Sequence, residues 1–364
     1  MLKVFLSINL VFTIFLVGCQ KDTSSNPDPL PPSGTLYFPP TSGTEWQTTT
    51  SSSLGWNEAL IPDLYSYLQS KGTKGFIVLK NGKIVMEKYF GTFTADSNWY
   101  WASAGKTATA FLVGIAQQEG LLNINNKTSQ YLGTGWTSLP LAKENLITVR
   151  HQLTMTSGLD DGVADVDCTL PSCMIYKADA GTRWAYHNAP YTILDKVVEN
   201  ASGQSYNAYF QAKIKDKIGM NGLWLPSGYN NVYYSTARSM ARFGLLMLNK
   251  GKWNSTSVLN DSNYFNAQVS SSQTLNNSYG YLTWLNGKSS HLLPGLQFVF
   301  NGNLILNAPA DMYAALGKND QKLYVVPSQN IVVIRMGNSA GNVQLAVSSF
   351  DSELWGKLKP IIGY

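Results

Sequence analysis

Residues 101–107 read WASAGKT, and they lead directly into an apolar stretch, 107–122 (TATAFLVGIAQQEGLL), that is typical of a buried helix. Ser103 and Lys106 are three residues apart, so at the start of a helix both side chains lie on one face. A serine hydroxyl is a weak nucleophile until a nearby base removes its proton. The helix N-terminus adds N–H groups and a favourable field for a developing oxyanion. The stretch therefore predicts a nucleophilic serine activated by a lysine.

Two other chemistries compete for the same stretch. Its last three residues, Gly-Lys-Thr, end like a phosphate-binding loop, but Tyr100 stands where the first glycine is required and no apolar strand precedes it. The stretch also contains half of a Gly-x-Ser-x-Gly nucleophile elbow, with Trp101 at the first glycine position. An enzyme of that type needs a late histidine, for which His291 is the one candidate. Both interpretations are disfavoured.

Two later motifs strengthen the Ser-x-x-Lys interpretation. Residues 186–188 read Tyr-His-Asn, which matches Tyr-x-Asn on a predicted loop. Residues 315–317 read Ala-Leu-Gly, and 321–327 (QKLYVVP) then open a pair of hydrophobic strands. In this order the motifs resemble those of the serine β-lactamase and DD-peptidase superfamily, especially its class C-like branch of β-lactamases, carboxypeptidases, esterases and small amide hydrolases. The resemblance runs from about residue 75 to the C-terminus.

The resemblance implies a role for each matching residue. Ser103 is expected to be the acylated nucleophile, and Lys106 is expected to activate it or relay its proton. Tyr186 would exchange a proton with the serine or the leaving group, and Asn188 would hydrogen-bond the substrate. The oxyanion hole would consist of the backbone N–H groups of Ser103 and Lys318.

The third motif departs from the family pattern. It normally opens with lysine or histidine, whereas Ala315 stands here, two residues before Gly317 in the predicted substrate-binding strand. The missing cation would help to bind the carboxylate of a penicillin or a D-alanyl terminus. The departure favours a hydrolase of a small ester or amide, with a β-lactamase or DD-carboxypeptidase as alternatives.

A second departure follows in the same segment. Amide hydrolases and esterases of the family often run from this motif into Gly-Gln; Gln321 is kept here, but Asp320 stands where the glycine is usual. This predicts a less permissive backbone near the oxyanion hole. It also favours the remaining alternative, a non-catalytic penicillin-binding-like module.

The order of the predicted elements indicates an α+β fold. Residues 75–91 contain two β-rich runs around Asn81-Gly82, a strong hairpin signal. From the resemblance we expect a β-lactamase/transpeptidase-like fold, in which an antiparallel sheet flanked by helices (46–122 and 271–364) is interrupted by a mostly helical domain (123–270). The sequence further predicts helices over 107–122, 189–201, 206–218, 236–248 and 342–358, and strands over 279–285, 297–300, 322–326 and 331–336.

The first 45 residues predict export and a lipid anchor. Residues 1–18 carry one lysine and then an apolar stretch that is short for a membrane span. Residues 16–19 (LVGC) resemble a bacterial lipobox, in which Cys19 would be acylated; an ordinary signal peptide is the alternative. Residues 19–45 are predicted to be a flexible tether. We therefore expect a lipid-anchored protein of the bacterial cell envelope, periplasmic or surface-exposed.

Composition limits the other partners and cofactors. Charged residues make up only 13% of the 364, and the net charge of +5 contains no clustered run, so nucleic acid is not expected as a partner. The expected partners are a small ester, amide or peptide substrate and, through the anchor, a membrane. His151, His187 and His291 are isolated, and no metal or other cofactor is expected.

The two cysteines within the predicted folded region are Cys168 and Cys173. In an oxidising compartment they would close a short loop as a disulfide, and two free thiols are the alternative.

Overall fold

Six antiparallel strands form the main sheet of this computed structural model, which describes residues 36–342 and 345–364. The predicted hairpin is confirmed: Asn81 and Gly82 join the first two strands with φ of 50° and 79°, the positive values that a primed two-residue turn requires. In chain order the strands are β1 (Thr73–Lys80), β2 (Lys83–Tyr89), β3 (Trp284–Leu285), β4 (Tyr313–Gly317), β5 (Gln321–Val326) and β6 (Ile331–Gly337). Their spatial order, β2-β1-β6-β5-β4-β3, brings early and late parts of the chain together.

Helices cover both faces of this sheet. The four longest helices of the described residues are α1 (Ile61–Ser70), α2 (Gly105–Gln118), α3 (Ala237–Leu248) and α4 (Ser349–Ile362). Successive residues of a strand point to opposite faces. Leu323 of β5 lies against Gly244 of α3, whereas Tyr324 contacts Trp355 of α4, with ring centroids 5.5 Å apart. Helices α3 and α4 therefore lie on opposite faces of the sheet, and the α+β class and antiparallel sheet are as predicted.

The chain between β2 and β3 forms short helices and smaller sheets. A three-stranded sheet has the order Trp99–Tyr100, Asn230–Ser235, Leu223–Ser227. Two-stranded pairs join Lys252–Trp253 to Thr256–Ser257 and, after β3, Ser290–His291 to Phe300–Asn301. The shorter helices, including one π-helical stretch, are Ser129–Leu132, Leu141–Glu144, Val149–Leu153, Asn188–Thr192, Leu194–Ser202, Tyr206–Phe210, Gln211–Lys215, Asp216–Ile218 and Ser262–Gln268.

Several predicted element boundaries are wrong. The closing helix begins at Ser349, seven residues after the predicted start, because Ser348 and Asp351 form a capping box there. The predicted strand 279–285 is a strand only at its last two residues, since Leu282 has a φ of 48° and the chain turns back before Trp284. The strands of the three-stranded sheet and helix α1 were not predicted.

The end of the predicted tether is also corrected. The described residues 36–45 contact the folded chain: the Tyr37 N–H donates to the Asn81 carbonyl (3.0 Å), and the Arg242 guanidinium donates to the Pro40 carbonyl (2.9 Å). The predicted signal, Cys19 and the start of the tether lie outside the described residues. The chain from residue 36 on belongs to one compact unit, in which the division into a sheet domain and a helical domain stays a prediction. Among the described residues, no helix has the length and apolar character to cross a membrane.

Candidate active site

The predicted nucleophile lies in a tight turn before helix α2. Residues Ala102–Ala104 form this turn, and Ala102 has a φ of 48°, a strained value for a residue with a side chain. Trp101, which is fully buried, holds the turn: its backbone N–H donates to the Tyr233 carbonyl and its indole N–H to the Ser235 hydroxyl, both at 2.8 Å. These contacts stabilise the strained backbone and place Ser103 at the edge of a cavity.

The Lys106 side chain is buried one helical turn after the serine. Its exposed fraction is 3%, and Nζ lies 3.3 Å from Ser103 Oγ. The amine also lies 3.9 Å from the centroid of the Tyr191 ring. Burial lowers the pKa of Lys106 to about 7, because the charged form loses its hydration, while the charges of Asp167 and Asp195 act in the opposite direction. A substantial fraction of this amine is therefore neutral near pH 7 and able to accept a proton.

Tyr186 approaches the same pair from an aromatic cluster. Its ring is stacked on Trp284 at 5.7 Å and meets Tyr279 edge-on at 6.2 Å. Burial raises the pKa of the Tyr186 phenol, and a hydrogen bond with Ser103 opposes that rise. The phenol therefore keeps its proton at neutral pH, so it is suited to relay a proton rather than to act as a phenolate base.

Asn188 lies at the start of a short helix and faces a residue that the sequence analysis missed. Its side-chain N–H donates to Asp167 Oδ1 at 2.7 Å, and its own Oδ1 is buried without a hydrogen-bond partner among the described residues. Asp167 directly precedes Cys168, which forms a disulfide with Cys173. In the sequence, the pair Cys168 and Cys173 indicated a closed loop here, but the spacing of two cysteines does not predict a role for the Asp167 carboxylate beside them. His187, between the two motif residues, is buried and does not line the cavity.

The end of strand β4 lies directly against the nucleophile turn. A Cβ atom on Gly317 would be 2.5 Å from the Trp101 carbonyl oxygen and 3.1 Å from Ser103 N, distances that exclude a side chain. Lys318 follows at once and lines the cavity, so its backbone and that of Ser103 lie on neighbouring segments. Ala315 is buried in β4 and is not part of the cavity lining.

Asp320 occupies the backbone conformation that the usual glycine would favour. Its φ is 57°, and that of Asn319 is 56°. The carboxylate accepts hydrogen bonds from the Ser348 hydroxyl (2.6 Å) and the Ala340 N–H (2.9 Å), and it lies 3.2 Å from Lys322 Nζ. Although burial raises the pKa of Asp320, these partners together hold it below its usual value. The backbone therefore adopts the required turn despite the side chain, which corrects the expected loss of permissiveness.

Buried charges that do not line the cavity fix this turn. The Arg335 guanidinium donates to the carbonyls of Asn319 (3.0 Å) and Asp320 (2.9 Å), and Lys322 also pairs with Asp351 of α4 at 2.9 Å. Arg335, Lys322 and Asp351 are fully buried. The position of the predicted oxyanion donor at Lys318 thus depends on strands β5 and β6 and on helix α4.

The cavity has a volume of about 320 Å³ and brings most of the predicted site together. Ser103, Lys106, Asn188 and Lys318 line it, and Tyr186 contacts Ser103 from the adjoining aromatic cluster. The other polar residues that line it are Tyr100, Asp167, Tyr191, Ser227, Asn230, Asn231, Tyr234 and Asn319. A half-buried serine next to a buried lysine, beside backbone donors, can perform acyl transfer.

The fold and the arrangement of this site are similar to those of serine hydrolases of the β-lactamase type. The family model described as Beta-lactamase matches residues 69–352, and the chain belongs to this family.

Comparisons with individual proteins agree with that assignment. A teichoic acid D-alanine hydrolase of Staphylococcus aureus is 27% identical over 205 residues, which is 50% of this chain and 50% of the relative, so the match spans about half the length of that curated protein. A penicillin-binding protein homologue of Caulobacter crescentus has a TM-score of 0.62 at 13% identity, covering 82% of this chain and 96% of the other. FmtA of Staphylococcus aureus has a TM-score of 0.56 at 18% identity, covering 88% and 91%. The two structural matches show the fold.

The first prediction concerns the charged cluster behind the turn. Asp320→Asn removes one of the two carboxylates beside the buried Lys322 ammonium, so it should lower the free energy of unfolding by about 2–3 kcal/mol. Guanidinium-induced unfolding followed by fluorescence measures the change. Lys196→Gln is the control, because Lys196 pairs with Glu199 on the surface and its loss should cost less than about 1 kcal/mol. Equal losses in the two variants would contradict a structural role for Asp320.

Proposed function

We propose that this protein hydrolyses a small ester or amide through an acyl-enzyme formed on Ser103. One observation carries the proposal: the Lys106 amine is buried 3.3 Å from the Ser103 hydroxyl, and its pKa is lowered to about 7. A lysine at its usual pKa would be protonated at neutral pH and unable to accept the serine proton. Burial therefore supplies the base that the nucleophile needs.

The proposed reaction has two steps, acylation and deacylation of Ser103. In acylation, Ser103 Oγ bonds to the substrate carbonyl carbon while Lys106 takes the hydroxyl proton, and the oxyanion is held by the N–H groups of Ser103 and Lys318. The bond to the leaving alcohol or amine then breaks, and the leaving group receives that proton through Tyr186. In deacylation, water gives a proton to Lys106 and bonds to the acyl carbon. The bond to Oγ breaks, and the serine oxygen regains the proton.

Two observations favour an ester or amide over a β-lactam. Ala315 replaces the cation that would help to bind a carboxylate, and it does not line the cavity. In addition, one curated relative is named a teichoic acid D-alanine hydrolase, which supports a hydrolytic reaction at an alanyl group.

The second prediction tests the nucleophile. A fluorophosphonate probe should label the wild-type protein and fail to label Ser103→Ala, because the probe bonds covalently to an activated serine hydroxyl. Ser227→Ala is the matched control, since Ser227 also lines the cavity but has no base assigned to it; this variant should be labelled like the wild type. Mass spectrometry of the intact protein measures the labelling.

Labelling of Ser103→Ala at the wild-type level would overturn the assignment. Labelling of neither protein would favour the non-catalytic module. A parallel screen of short-chain nitrophenyl esters, nitrocefin and D-alanyl peptides would separate ester or amide hydrolysis from β-lactamase and DD-carboxypeptidase activity.

The third prediction concerns pH. Below pH 7 the Lys106 amine is protonated and cannot accept the serine proton, so the rate of fluorophosphonate labelling should rise with pH and level off above about 7. Lys106→Ala should label more slowly by about 10²-fold or more and lose this inflection. Lys318→Ala keeps its backbone N–H and should retain the inflection. A flat wild-type profile between pH 5 and 9 would remove Lys106 from the mechanism.

We also propose that Cys19 is acylated after cleavage behind Gly18 and anchors the protein in the bacterial cell envelope. Support comes from the sequence alone, in the apolar stretch that ends at Leu-Val-Gly-Cys.

The fourth prediction tests this anchor. In a bacterial host fed an alkynyl fatty acid, the wild-type chain should carry the label and sediment with membranes, and Cys19→Ala should lose both properties. The double variant Cys168→Ser/Cys173→Ser should keep the label, because these cysteines form a disulfide. A labelled Cys19→Ala variant would contradict acylation at this residue.

A further inference from the structure

We propose that Asp167 selects substrates with a cationic amine beside the scissile carbonyl, such as an aminoacyl ester or amide with a free ammonium group. The inference rests on the proposed function, because it names the substrate class of the same site. It begins from one fact: a carboxylate lines the cavity that holds Ser103 and Lys106.

The Asp167 carboxylate is fixed in place but keeps an oxygen available. Its Oδ1 accepts the Asn188 side-chain N–H at 2.7 Å, and its backbone N–H donates to Asp165 Oδ1 at 3.0 Å. The adjacent Cys168 is tied to Cys173 by the disulfide, which restrains the loop further. Among the described residues Asp167 forms no ion pair. A half-buried, positioned carboxylate without a cationic partner can form charge-assisted hydrogen bonds with a positive group.

The other charged groups around the cavity neither neutralise Asp167 nor provide a strong site for a substrate carboxylate. Lys106 is the nearby basic group, but it must be neutral to activate Ser103, and in that form it does not neutralise Asp167. Lys318 is exposed to solvent, so a carboxylate bound there would be weakly held. Ala315 supplies no cation in the strand position where the family has one. The cavity therefore favours an ammonium group over a carboxylate.

Asn188 connects this carboxylate to the catalytic motif. It is the last residue of the Tyr-x-Asn motif, two positions after Tyr186, and its amide N–H is occupied by Asp167. A substrate amine bound at Asp167 would therefore lie beside the motif that contacts the nucleophile. In the proposed substrate class, the amine is on the acyl side of the scissile bond, as in an alanyl ester.

The fifth prediction compares three methyl esters that release the same product, methanol: alanine methyl ester (cationic), N-acetylalanine methyl ester (neutral) and N-succinylalanine methyl ester (anionic), each in both enantiomers. The wild-type protein should prefer the cationic ester in kcat/KM by about 10-fold or more. Asp167→Asn keeps an oxygen acceptor for Asn188 but loses the charge. It should reduce the ratio of cationic to neutral kcat/KM by about 10- to 100-fold and change the neutral ester by less than about 3-fold.

Asp63→Asn is the matched control. Asp63 is exposed on helix α1 and lies outside the cavity lining, and its variant changes the net charge equally, so its ratio should match the wild type. If Asp167 merely positioned Asn188, Asp167→Asn would affect both esters to the same extent and leave the ratio unchanged. That result, or a wild-type preference for the neutral or the anionic ester, would overturn the inference.

A second measurement tests the same inference if the protein hydrolyses all three esters too slowly for kcat/KM to be compared. The probes are the diphenyl phosphonate analogue of alanine, which is cationic, and its neutral N-acetyl form; both label the protein if Ser103 is reactive. The wild-type protein should be labelled faster by the cationic probe, and Asp167→Asn should reduce the ratio of the two labelling rates. Equal labelling rates in the wild type would overturn the role of Asp167 while leaving the Ser103 nucleophile intact. Failure of every probe to label Ser103 would instead overturn the proposed function, and the inference with it.

Discussion

The burial of one amine is the constraint on which this site depends. Helix α2 is buried along twelve consecutive residues, from Gly105 to Ala116, and Lys106 is among them. An ammonium ion in such surroundings loses its hydration, and the negative charges of Asp167 and Asp195 compensate only part of that loss. The pKa of Lys106 therefore falls to about 7. The same burial that makes the residue costly for the fold leaves part of the amine neutral near pH 7, at 3.3 Å from Ser103 Oγ.

A second constraint brings the two halves of the site into contact. The end of β4 approaches the nucleophile turn so closely that only glycine is tolerated at position 317. The turn after it contains two residues with positive φ, Asn319 and Asp320, and their strain is offset by hydrogen bonds from Arg335 and by the ion pair with Lys322. Buried charges on β5 and β6 thus stabilise the backbone segment whose residues Lys318 and Asn319 line the cavity.

Local patterns predicted much of this structure. The hairpin at Asn81-Gly82 and helix α3 were predicted because their signals, a turn dipeptide and an apolar periodicity, lie within a few residues of each other. The predictions were wrong where distant contacts decide the conformation. Residues 279–285 alternate like a strand, but Gly280 lies so close to the Gln268 carbonyl that its Cβ would be 2.0 Å away, and the segment turns instead. Asp167 was missed because its partner, Asn188, is 21 residues further along the chain.

The sequence by itself determined which chemical groups are available and in what order: a serine and a lysine on one helical face, a Tyr-x-Asn motif, and a strand that ends in Gly317 with alanine where a cation is usual. These features are visible because each depends on the spacing of neighbouring residues. The tertiary structure alone decided that the Lys106 amine has a pKa near 7, that Asp320 fits a turn normally given to glycine, and that a carboxylate lines the cavity. Desolvation and charge act through space, and they depend on which distant segments the fold packs around a group.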